Sequence, residues 1–175
     1  MPTAYAPPNK VRIFGLEIDV ALTAQYNPKE IQIEKSVTWT PSASSKNDRP
    51  DLEFASVGAR TLSMELLFDT YEDQSASGAV DVAAKYVSKL MQLISVIDHD
   101  GVEAHRRPSV VQVRWDGGEH PIFEGVLQSV STKYTMFAPC GRPVRATCTV
   151  KLMEATRSFK NDPDRKVPLS GQSQW

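Results

Sequence analysis

The sequence predicts an α+β fold dominated by antiparallel sheet, and three observations predict it. Several segments alternate apolar and polar residues with the period of two that a half-buried strand requires. One stretch, residues 82–97, instead repeats its apolar side chains at the three- and four-residue spacing of a helix. Towards the end, two long alternating runs face each other across Ala138-Pro139-Cys140-Gly141, as a β-hairpin would.

Pro2, Pro7 and Pro8 break up residues 1–10, which read as a flexible lead-in. Val11 to Phe14 and Asp19 to Tyr26 are the first strand-like segments, and Asn27-Pro28 interrupts them. Glu30 to Thr40 alternates through Ile31, Ile33, Val37 and Trp39, with one interruption at Lys35, and predicts a single extended strand. Residues 41–51 are polar and closed by Pro50, longer than an ordinary connection, and read as either a working loop or a disordered one. Arg60 to Asp69 alternates cleanly, with Leu62, Met64, Leu66 and Phe68 on one face. Leu67 breaks the polar face and hints at a second contact surface.

Asp81 is placed to cap the predicted helix. Val82, Tyr86, Leu90, Leu93 and Ile97 form its apolar stripe, widened by Val87 and Ile94, over some 24 Å at about 1.5 Å per residue. Ser109 to Asp116 is the next strand, followed by the turn signal Gly117-Gly118. Ile122 to Phe137 is far longer than an average strand. Strict alternation puts Ile122, Val126, Val130, Tyr134 and Met136 on one face and Phe123, Leu127 and Phe137 on the other. Val144, Ala146, Cys148, Val150 and Leu152 return antiparallel to it. The domain therefore spans 11–156, and residues 157–175 have the composition of an extended tail.

The chain has 175 residues, with 20 Lys plus Arg against 21 Asp plus Glu, for a net charge of −1. That length supports a real core in one domain. The balance lacks the basic footprint of a nucleic-acid binder, and no Lys/Arg cluster marks a membrane-surface contact. The opening residues lack a basic segment followed by an apolar one, so cytoplasmic synthesis is expected. Cys140 and Cys148 are too few for a disulfide framework.

Catalytic chemistry finds little support. His99, Asp100, Glu103, His105 and His120 are acidic or metal-ligating residues, but Gly101 and Pro108 make that stretch a loop without zinc-type spacing. There is no Gly-x-Ser-x-Gly elbow and no phosphate-binding glycine loop. Cys148 falls on an apolar strand face and Cys140 in a turn. Asp69 and Glu72-Asp73 follow a strand directly, where acidic side chains solvate its end. The expectation is no enzyme, no metal and no cofactor. More distinctive is the long hairpin, whose less apolar positions are short and polar: Gln128, Ser129, Ser131, Thr132, Thr135, Thr147 and Thr149. Such a face suits either edge-to-edge pairing in a ring of identical subunits or simply the Thr-rich surface of a monomeric half-open barrel.

Several segments occur together and in order: Tyr26-Asn-Pro-Lys-Glu-Ile-Gln-Ile-Glu-Lys-Ser-Val-Thr-Trp, Leu52-Glu-Phe, Arg60-Thr-Leu-Ser-Met-Glu-Leu-Leu-Phe-Asp-Thr-Tyr-Glu, Lys133-Tyr-Thr-Met-Phe and Gly141-Arg-Pro-Val-Arg-Ala-Thr. Over about residues 20–156 the chain resembles the tube-domain family of contractile injection systems, phage-tail-like machines of bacteria. Within that family it is similar to the adaptors that join the inner tube to the spike. The resemblance implies a phage-tail-tube-like β-barrel with one flanking amphipathic helix, assembled as a hexameric ring inside a phage-tail-like particle. It also implies an inner tube protein, a spike (VgrG-like) protein and baseplate proteins as partners. A main tube subunit that polymerises along the tube is the alternative, and a small β-barrel enzyme or metal or ligand binder using His99, Glu103 and His105 is a third reading ranked below both. On this reading the hairpin residues become candidates for the channel wall. Ser42, Ser45, Lys46, Asn47 and Asp48 become a candidate axial-contact loop. Adaptors of this kind commonly continue into a LysM-like domain, for which residues 157–175 are too few; Val167, Leu169 and Trp175 are instead candidate anchors on a neighbour.

Overall fold

A computed structural model describes residues 9–42, 51–75, 78–98, 106–118 and 120–155. The alternating segments become β1 (Val11–Gly15), β2 (Ala21–Thr23), β3 (Ile31–Glu34), β4 (Val37–Pro41), β5 (Leu52–Val57) and β6 (Thr61–Asp69). Two short strands, β7 (Gln74–Ser75) and β8 (Gly78–Ala79), precede the helical segment. It is π-wound over Ala83–Val87 and continues as α1 (Ser88–Ile94). Then come β9 (Val96–Ile97), β10 (Arg107–Pro108), β11 (Val110–Trp115), β12 (Phe123–Phe137) and β13 (Pro143–Glu154). The principal sheet has seven strands in the order β2-β1-β11-β12-β13-β6-β3, and every neighbouring pair is antiparallel. The α+β class dominated by antiparallel sheet is therefore observed.

One face of this sheet is the core. Ile13, Leu22, Val113, Phe123, Leu62, Leu66 and Phe68 are buried on it, and the helix covers it with Val82, Val87, Leu90 and Leu93. Phe68 stacks on Tyr86 at a centroid distance of 4.6 Å. Val82 and Val87, five residues apart, are both buried because π-winding brings positions i and i+5 onto one side. The Asp81 carboxylate accepts the Ala83 N–H at 2.7 Å, which provides the expected cap. The helix stops at Ile94, so Ile97 belongs to β9, which pairs with β10, and not to a helix running to 97.

Three further differences have physical causes. The extended strand expected over 30–40 divides at Lys35-Ser36, so β3 joins the main sheet while β4 pairs with β5 apart from it. Gly58 permits this pinch: its N–H donates to the Ser36 carbonyl at 2.9 Å, and a Cβ there would lie 2.6 Å from Ser36 Oγ. In β12 the faces do not follow strict alternation. Leu127 opposes Leu152 and Ser129 opposes Lys151, so Gln128 is an extra residue in a bulge that reverses the parity of inward positions. Phe123, Gly125 and Leu127 face the core before it, Val130 and Thr132 after it. Gly125 is needed where the strands close in, because a Cβ would sit 2.1 Å from the Met153 carbonyl oxygen. Finally, the sheet of one chain is open: among the described residues β2 and β3 end it and do not pair with each other, so no closed barrel forms within the subunit.

Candidate assembly interface

The sheet face opposite the helix is built by the odd-numbered residues of β6 and β13 and the outward residues of β3 and β12. Register places Ser131 against Thr149, Lys133 against Thr147 and Ser129 against Lys151. The same row continues across β6, with Thr149 beside Glu65, Thr147 beside Leu67 and Lys151 beside Ser63. Gln32 and Glu34 extend it onto β3, hydrogen-bonded to each other at 2.7 Å. Ser129, Ser131, Thr147 and Thr149 are thus brought together on one polar surface. Thr132 is not among them: it opposes buried Cys148, with its Oγ1 3.5 Å from the sulfur, on the core side. Gln128 is the extra residue of its bulge, and Thr135 lies at a second irregularity between Tyr134 and Met136. Burial pushes the Cys148 thiol up, as fits a packed residue and not a nucleophile. Cys140 is exposed.

The second surface is the ribbon formed by β4 and β5. Val37 pairs with Val57, Trp39 with Phe54 and Pro41 with Leu52, while Thr38, Thr40, Glu53 and Ser56 occupy the other side. A register shift beside Thr38 and Trp39 leaves Ala55 unpaired and keeps Val57 in line with Phe54. Every residue of both strands is exposed, including Trp39 at 55% and Phe54 at 58%. The two rings meet edge to face, centroids 5.9 Å apart. A lone two-stranded hairpin is marginal in water, and this one carries a contiguous exposed apolar side of Val37, Trp39, Leu52, Phe54 and Val57. The Ser42 N–H donates to the Asp51 carbonyl at 2.7 Å and closes the base of the intervening loop. Ser45, Lys46, Asn47 and Asp48 lie outside the described residues, as do the tail positions Val167, Leu169 and Trp175. The ribbon escaped the sequence reading because Leu52-Glu53-Phe54 is so short. Its signal was the matching Val37/Trp39 and Leu52/Phe54 alternation on either side of a polar loop.

Polar clusters fix the sheet's ends. The Gln25 side chain acts as a surrogate strand residue for the end of β6: its amide donates to the Asp69 carbonyl and accepts the Asp69 N–H, both at 2.7 Å. The Asp69 carboxylate accepts the Tyr71 N–H and the Arg145 Nε, each at 2.8 Å. Burial pushes the Asp69 carboxyl up, but these donors outweigh it and hold it below its ordinary value. At the other end Arg107 grips Glu17 in a two-pronged ion pair, both bonds 2.7 Å. Of the sequence's metal candidates, His99, Asp100, Glu103 and His105 lie outside the described residues and His120 is exposed. Among the described residues no group of three His, Cys, Asp or Glu is placed to hold a metal ion, and no helix is long and apolar enough to cross a membrane.

Among the described residues the subunit thus has a long hairpin, one helix on one sheet face and a polar opposite face. The family model described as contractile injection system tube protein matches residues 9–162. The chain belongs to that family. Among curated proteins none matches the sequence. Membership of the tube protein family supports a structural role and assembly with other subunits, as part of a phage-tail-like particle. The match takes in both surfaces, the ribbon as well as the hairpin.

Proposed function

We propose that this tube-family protein forms a hexameric ring at the end of the inner tube and connects it to the spike and baseplate, as tube initiator or adaptor. The observation that carries the assembly reading is the ribbon of β4 and β5, whose Trp39, Phe54 and Leu52 are exposed in the single subunit and require a covering surface. On this reading the ribbon and the loop at its tip make the axial contact with the adjoining layer. The polar face of Ser129, Ser131, Thr147 and Thr149 lines the channel, away from the helix. The placement between tube and spike rests on the resemblance of the sequence as a whole to the adaptor proteins within that family.

The second reading is the main inner-tube subunit, favoured by the family model's own description as a tube protein. The two differ in stoichiometry. Quantitative mass spectrometry of purified particles, with electron microscopy of the same sample, is the test. A single ring's worth of this chain per particle supports the adaptor, and a count that scales with tube length replaces it by the main subunit. Particles assembled without the chain remove both.

A further inference from the structure

Leu67 stands out twice. It breaks the polar alternation of β6, and it is 40% exposed on the face turned away from the helix, beside Thr147. Its backbone is the second oddity. Along a strand, the N–H and carbonyl groups of successive residues point to opposite sides. The Thr70 N–H donates to the Val144 carbonyl, towards β13, whereas the Asp69 N–H and carbonyl both meet the Gln25 side chain on the other side. Two residues before Asp69, the Leu67 N–H and carbonyl therefore also point away from β13, towards the edge that β3 covers only as far as Met64. Continuing the β3 register places Pro28 opposite Leu67, and proline has no N–H to give. Gln32 fills the ladder at Ser63 and Gln25 fills it at Asp69. Among the described residues nothing fills it at Leu67.

A groove of about 640 Å³ lies over this opening, and Tyr26, Pro28, Lys29, Glu65, Leu67 and Thr149 are among the residues that line it. Three features narrow what fits. Lys29 shares the groove with Glu30 and Glu65, so it suits a neutral group better than an ion. Residues 26–30 wall it off, so an added strand has no room to run on along β6, while a side chain entering from the polar face does. The third feature is Gln25 itself: two residues along the same edge, a primary carboxamide fills the equivalent rung with two hydrogen bonds of 2.7 Å.

We propose that the open rung at Leu67 receives the side-chain carboxamide of an asparagine or glutamine from a second copy. Its NH₂ donates to the Leu67 carbonyl, its oxygen accepts the Leu67 N–H, and its methylene carbons rest on the exposed Tyr26 and Leu67. A second copy is the occupant because the groove borders the open β3 end of the sheet, the side that a ring turns towards a neighbour. The inference rests on the ring reading above and adds a specific contact that holds the ring together.

Amide hydrogen exchange with residue-level fragmentation reads the rung in the full-length protein. In the free subunit the Leu67 N–H is expected to exchange as an unpaired amide, and in rings at least about ten-fold more slowly. A benzophenone side chain at the exposed position 29 captures the occupant in the same rings. The expected cross-link is to a second copy, in a peptide containing Asn or Gln. Leu67→Pro removes the outward N–H but no bond to β13, and is expected to reduce rings by about ten-fold, the effect of one ordinary hydrogen bond. Electron microscopy counts the rings and circular dichroism checks folding. If that variant does not fold, exchange and cross-linking decide alone. Rings whose Leu67 exchanges as fast as in the free subunit overturn the inference and leave the ring reading standing. So does a Leu67 N–H already protected in the free subunit, or a folded Leu67→Pro protein that forms rings as the wild type does. Cross-links only to another protein of the particle overturn the second copy as occupant, and cross-links to a segment without Asn or Gln overturn the carboxamide. A wild-type protein that forms no ring, alone or in particles, overturns both readings.

Discussion

At the scale of single residues, Asp69 connects three pieces of chain that are distant in sequence. Its backbone is held by Gln25 and its carboxylate by Arg145 and the Tyr71 N–H. Asp69 is only partly exposed, but Arg145 is 43% exposed, so solvent weakens their pairing. Charged hydrogen bonds of this kind contribute about 1.5–3 kcal/mol, and with that screening Asp69→Asn should cost about 1–2 kcal/mol near neutral pH. The pH dependence follows from the direction of the shift. The folded carboxyl titrates below its unfolded value of about 3.9, so its stabilisation is fully present above that value and lost as pH falls through the folded one. Urea melts of wild type and variant should differ by a constant amount from about pH 5 to 8 and converge below about pH 4. A gap that persists unchanged into acid would mean that the carboxylate's charge is not what matters there.

Among the elements, the ribbon tests whether exposed apolar surface serves stability or contact. Trp39 and Phe54 touch each other but no core residue buries them, so replacing both by serine should change subunit stability by no more than about 1 kcal/mol. The same double change should sharply reduce stacking of rings or attachment to the tube, read by sedimentation and electron microscopy of the assembled material. A large drop in melting temperature with unaffected assembly would make the ribbon a part of the subunit's own fold. This element also shows where sequence pattern runs out. The alternation of Leu62, Met64, Leu66 and Phe68 and of Ala146, Cys148, Val150 and Leu152 was legible because each strand buries one complete face. The Gln128 bulge was not, because one extra residue leaves composition untouched while exchanging the faces beyond it. Thr132 looked like a member of the polar row for that reason. The open rung escaped for another: Gln25 and Asp69 lie 44 positions apart, and only their contact shows which backbone groups of β6 point outward.

For the whole molecule, the near balance of 20 positive and 21 negative groups excluded some partners and suggested none. The structure shows how those charges are distributed over one sheet face. Arg12, Arg114, Lys133, Arg145 and Lys151 stand there against Glu34, Glu65, Asp69, Asp116 and Glu124, with Arg145 paired to Asp69 and Arg12 to Asp116, and hydroxyls fill positions between. If that face lines a channel, the wall has little net field to favour or repel a charged cargo. Adding charge should therefore create a preference the natural wall lacks. Ser131→Glu adds one carboxylate per copy at an exposed position whose cross-strand partner is Thr149, and the resulting band should act over about one Debye length, roughly 8 Å at physiological ionic strength. Purified particles carrying it should assemble normally and retain acidic cargo less well than basic cargo of the same size, measured as the ratio of two fluorescent proteins of opposite charge. Normal assembly with an unchanged ratio would place the face away from the conduit. Failure to assemble would make it a contact between subunits, because a buried unpaired carboxylate disrupts an interface where a solvated one does not.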